Sequence, residues 1–88
     1  MKPYLGAPVI CVGITSNGAS EHPAVITRPW SGNDTDDGPV AVNLTVFPDC
    51  GEQTCRSSVM LFSTSEQARK HINTHGGGVA AYWPAQDA

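Results

Sequence analysis

A chain of 88 residues and 9.3 kDa holds one small domain and not two. Hydrophobic residues make up 40% and charged residues 15%, which excludes a disordered acidic tail and a coiled coil. Five Lys and Arg against eight Asp and Glu leave a net charge of −3, the wrong sign for a protein that coats phosphate backbones.

No apolar run approaches the ~20 residues of a membrane span. Met1-Lys2-Pro3-Tyr4 lacks the apolar core of a secretory signal, so the expectation is a cytoplasmic protein. Residues 8–14 (PVICVGI) form a β-branched run closed by Asn17-Gly18, a strong turn signal. Residues 22–30 (HPAVITRPW) form a second strand whose prolines sit near its ends. Strict alternation there puts Ala24, Ile26, Arg28 and Trp30 on one face. Residues 31–39 (SGNDTDDGP) are a polar loop. Within it, Asp34, Asp36 and Asp37 resemble a calcium loop only faintly. The twelfth position is Thr45 where a bidentate Glu belongs, so a solvated acidic loop is the reading.

Residues 40–47 (VAVNLTVF) are the clearest strand, with Val40, Val42, Leu44 and Val46 on one face. After Pro48-Asp49, residues 54–62 (TCRSSVMLF) read as its antiparallel partner. Ser63 and Glu66 have capping-box spacing and open a short helix that ends at Gly76-Gly77-Gly78. Residues 79–83 (VAAYW) are a last strand. Residues 1–6 and 85–88 are expected to fray. The prediction is a mainly β single domain over residues 1–88. It is a five-stranded SH3-like barrel or rolled antiparallel sheet with one short helix. Closure hides the edges that a small open sheet would expose.

The three cysteines, Cys11, Cys50 and Cys55, do not make a disulfide framework. Cys11 lies in an apolar run and reads as a buried small hydrophobe. Cys50-x4-Cys55-x15-His71-x3-His75 has the ligand types and order of a tetrahedral zinc site. The residues around it lack the core positions of a zinc finger. The preferred reading is two thiols and two surface imidazoles, with no metal and no cofactor. None of the sequence signatures for nucleophilic, metallopeptidase or phosphate-cradling sites occurs, so no catalytic residues are assigned.

The scarce cations and aromatics form the remaining candidate. Arg28 and Trp30 are two residues apart in one strand, Arg56 lies in another, and Tyr82 and Trp83 close the chain's last strand. Arginine forks grip phosphate or carboxylate, and aromatic faces stack on bases. Arg28, Trp30, Arg56, Tyr82 and Trp83 are therefore the candidate binding residues for a small anionic, base-bearing ligand. The competing reading makes the aromatics core packing, with the arginine stems lying over them.

Four segments in this order, HPAVITRPW at 22–30, VNLTVFPD at 42–49, RSSV at 56–59 and YWP at 82–84, resemble a family of small phage and prophage proteins. The resemblance spans about residues 7–84. It implies a small SH3-like barrel and lends no catalytic residues. It also implies the cytoplasm of an infected bacterial host as the place of action. Of the jobs open to such an accessory protein, countering host immunity fits the residues best. The expectation is a non-enzymatic, homo-oligomeric protein that sequesters a nucleotide-derived immune signal, with a host protein as the other partner class. The alternative is a structural or adaptor barrel. Bulk nucleic acid and membrane are not expected partners.

Overall fold

Alternation in Val40–Val46 organises the molecule: Val40, Val42, Leu44 and Val46 are buried while the residues between them are half-exposed. A computed structural model describes residues 3–30 and 40–84. The elements run β1 (Pro8–Ser16), β2 (Ala19–Pro29), β3 (Val40–Val46), β4 (Thr54–Phe62), α1 (Ser65–Thr74) and β5 (Ala80–Tyr82). The strands close in the order β1-β2-β3-β4-β5 into a barrel, the closed form of the two expected. The polar loop at 31–39, with its acidic triplet, and the tail at 85–88 lie outside the described residues.

Successive strands pair antiparallel from β1 to β4, and β5 returns antiparallel to β1. The ring closes through a parallel β4–β5 pair, Met60↔Ala80 to Phe62↔Tyr82, so the sheet is not purely antiparallel. A parallel neighbour needs a crossover, and α1 supplies it. The leading segment, counted with the frayed ends, is held from Tyr4 onward. The Ala7 amide donates to the Tyr4 carbonyl, and the Gly6 amide donates to that of Ile26.

Val9, Cys11, Ala24, Ile26, Val42, Leu44, Val46, Val59, Leu61 and Ala81 fill the barrel. A second, smaller cluster lies outside the sheet, where Ala68 of α1 packs on Val12 and Ala80. Glu21 fastens this layer by accepting from the Tyr82 hydroxyl and pairing with Arg69 of α1. The helix cap is Thr64 with Gln67, one residue later than the Ser63 and Glu66 expected. Both frames satisfy the same spacing rule; the observed one places Ala68 against the barrel. The Gln67 side-chain carbonyl accepts from the Ser63 and Thr64 amides, and the Thr64 hydroxyl accepts from the Gln67 amide.

Two backbone features hold the open ends. Gly13 has φ +112°, and a Cβ there would stand 2.2 Å from the Gly78 carbonyl oxygen. Gly13 therefore lets the chain returning from the glycine run lie against β1. At the other end, His22 is 1% exposed. Its Nδ1 accepts from the Asp49 amide at 3.1 Å, so Nε2 carries the proton and donates to the Ile14 carbonyl at 2.8 Å. The Ser16 hydroxyl donates to the Asp49 carbonyl at 2.8 Å, and the Asn17 amide donates to the Asp49 carboxylate at 3.2 Å. The β1–β2 and β3–β4 turns are thus clasped together.

Candidate functional site: the Arg28–Trp30 face

Two facing irregularities build this site. Between β2 and β3 the register passes from Ile26↔Leu44 to Arg28↔Asn43, which leaves Thr27 as an extra residue in β2. Between β3 and β4 it passes from Val42↔Val59 to Leu44↔Arg56, which leaves an extra residue in β4. Ser58 absorbs the second with φ 55°. A bulge re-aims side chains on the strand that carries it. Here it reverses the side on which Arg28 emerges. Ala24 and Ile26 are buried, whereas Arg28 is exposed beside Asn43. The expected common face of Ala24, Ile26, Arg28 and Trp30 is therefore split in two. Arg28 and Trp30 do share a side, and it is the outer one.

Asn43 fixes the geometry. Its Oδ1 accepts from the Trp30 indole N–H at 3.1 Å and from the Ser58 amide at 2.9 Å. Both partners are donors, so the amide can stand only one way round. The indole plane is held by this bond, and the Trp30 amide donates to the Ala41 carbonyl at 3.2 Å. The Arg28 guanidinium carbon then lies 4.4 Å from the indole centroid. At an exposed site such a contact contributes roughly 0.5–1 kcal/mol. Among the described residues no carboxylate pairs with Arg28, the only ion pair there being Arg69 with Glu21. The result is a flat cation laid on a flat ring, its N–H forks paired with no carboxylate among the described residues.

The other three candidate binding residues lie elsewhere. Arg56 pairs with Leu44, whose side chain is in the core, and its charge is felt at the buried Cys11. Cross-strand neighbours share a face, so Arg56 belongs to the Leu44 side of the sheet and Arg28 to the other. Burial pushes the Cys11 thiol up to about 11, with Arg56 opposing the shift. Tyr82 is engaged by Glu21 beneath α1. Trp83 packs against the core, stacks on Tyr4 at 6.5 Å between ring centroids, and donates its amide to the Phe62 carbonyl. The structure brings together Arg28 and Trp30 and joins to them Asn43 and Ser58. Sequence reading missed those two, because an Asn in an alternating strand looks like any outward polar residue.

The four zinc candidates separate in the same way. Cys50 and Cys55 flank the β3–β4 turn and are free thiols. The Asn17 amide reaches the Cys50 sulfur at 3.5 Å, and Thr45 lies 4.0 Å from that of Cys55. His71 and His75 lie at the end of α1, where His71 packs on Phe62 at the other end of β4. Among the described residues, no three His, Cys, Asp or Glu side chains converge on a metal position. Also among them, no helix is long and apolar enough to cross a membrane.

No family model, no curated protein and no solved structure matches this chain.

Proposed function

We propose that this chain is a non-enzymatic binding module whose recognition face is Arg28 stacked on Trp30, with Asn43 as the positioning residue. The ligand class is small, anionic and planar, a nucleotide-derived signal being the concrete case. Sequestering such a signal as a phage accessory protein, in a homo-oligomer, is the role the sequence resemblance adds. The observation that supports it is an exposed guanidinium, 4.4 Å from an indole whose N–H is already engaged by Asn43. The ligand's phosphate would take the forks and its base the ring edge or face. Tyr82 and Trp83 are left to the fold, and Arg56 faces away from this surface.

Calorimetric titration with a panel of linear and cyclic mono- and dinucleotides tests this. Arg28→Gln is expected to weaken any binding at least tenfold while the unfolding midpoint falls by only about 2–8 °C, the share of the lost cation–π contact. Binding that is unchanged in Arg28→Gln removes Arg28 from the site.

A second reading has its own observation. Leu5 is 72% exposed, Tyr4 55% and Phe47 43%. A protein partner that covered these side chains would remove apolar surface from water, the adaptor reading. Substituting Leu5 and Phe47 by Ser would abolish that association and leave nucleotide binding untouched.

A further inference from the structure

We infer that His71 and His75, at the C-terminal turn of α1, form a two-imidazole site for a divalent transition-metal ion, copper(II) foremost. This is not the four-residue zinc set of the sequence, which the fold separates. It stands apart from the Arg28–Trp30 face and does not depend on it.

The two residues are four apart on a helix, so their side chains rise from one face. Their rings lie 4.2 Å apart between centroids, tilted by 37°. His75 Nδ1 is 2.8 Å from the His71 carbonyl oxygen. A carbonyl only accepts, so Nδ1 carries the proton, and in the neutral ring Nε2 is the nitrogen left with a lone pair for a metal. Metal-bound imidazoles are held this way: the second ring N–H donates to a carbonyl or carboxylate, which sets the tautomer and the ring plane. The bond that caps the helix thus pre-sets one ligand. His71 is steadied from the other side by Phe62, with ring centroids 5.1 Å apart.

Both imidazoles line an open groove of about 320 Å³ together with Phe62, Gln67, Lys70 and Thr74. That is room for an ion that keeps several waters. Among the described residues no third His, Cys, Asp or Glu joins the pair, so solvent must complete the coordination sphere. Two nitrogens plus exchangeable oxygens suit tetragonal copper(II) or nickel(II), and copper(II) heads the affinity order for such donors. Lys70 in the same groove is a like charge that weakens the site. It is exposed, so screening limits the effect. His22, the remaining histidine, has both ring nitrogens engaged and is buried, so it does not compete.

The test is a titration of the full chain with copper(II) in a non-chelating buffer, read by electron paramagnetic resonance and calorimetry. Cys50→Ser/Cys55→Ser is the background, because exposed thiols bind and reduce copper(II) and both residues are surface positions. The expected result is one ion per chain with superhyperfine splitting from two nitrogens. Either His71→Ala or His75→Ala should cost at least roughly tenfold in affinity. Lys70→Gln should tighten binding modestly. Circular dichroism of each variant confirms that α1 is retained. Equal affinity and an unchanged spectrum in His71→Ala/His75→Ala would overturn the assignment. So would a wild-type signal that disappears in the Cys50→Ser/Cys55→Ser background.

Discussion

Asn43→Ala is the most informative single change to the barrel. The Asn43 Oδ1 satisfies the Trp30 indole N–H at 3.1 Å and the Ser58 amide at 2.9 Å. A hydrogen bond of this kind contributes about 1 kcal/mol net, and losing both at a half-buried position costs about 2 kcal/mol. For a domain of this size each kcal/mol moves the unfolding midpoint by about 4–8 °C, so Asn43→Ala should unfold about 8–16 °C below wild type. Asn43→Asp retains the acceptor for both donors and should lose less than half as much. Urea unfolding followed by circular dichroism measures both. The functional consequence is separable: Trp30 loses its anchor, so Arg28 loses its platform, and ligand affinity falls further in Asn43→Ala than in Asn43→Asp. Equal stability of the two variants, or an Asn43→Ala loss below 0.5 kcal/mol, would refute the claim that this amide organises the face.

Four other outcomes follow from named contacts. Gly13→Ala puts a methyl 2.2 Å from the Gly78 carbonyl oxygen at φ +112°, so a loss of about 3 kcal/mol is expected in the same unfolding assay. His22→Leu removes the link between the Asp49 amide and the Ile14 carbonyl, two part-buried groups that must then turn to water. It should cost about 2 kcal/mol, with proteolytic cutting appearing first at the β3–β4 turn. With thiol reagents at pH 8, Cys50 and Cys55 should label within minutes, and Cys11 only on unfolding. Because folding raises the Cys11 value from 9.0 to about 11, its contribution is intact below pH 9 and is lost as pH rises toward 11. The loss approaches about 3 kcal/mol at 1.36 kcal/mol per unit, and Cys11→Val should be free of that component.

The fold was legible where one physical rule acts alone. Alternation at residues 40–46 and the Asn17-Gly18 turn yielded strands and a hairpin in the right places, and the need to hide edges pointed to closure. The parallel β4–β5 pair was not legible, because nothing in the short apolar run of β5 states its direction. The site was half legible. Arg28 and Trp30 do meet, yet strict alternation put them on the face of Ala24 and Ile26. The bulge at Thr27 that reverses them has no local signature in the sequence. Tyr82 and Trp83 looked like binding residues because aromatic composition does not reveal a carboxylate partner such as Glu21 or a stacking partner such as Tyr4. His22 shows the converse. A lone histidine in a strand gave no hint that both its nitrogens clasp the two turns at one end of the barrel.

The central claim is that an Arg28–Trp30 platform captures a small anionic, base-bearing molecule. Native mass spectrometry of the intact chain, purified without chelator and then offered a nucleotide panel, tests it most directly. The expected result is a homo-oligomer that carries or takes up a nucleotide mass, and loses it in Arg28→Gln. A wild-type assembly that stays bare across the whole panel, or one that keeps its ligand in Arg28→Gln, would contradict it.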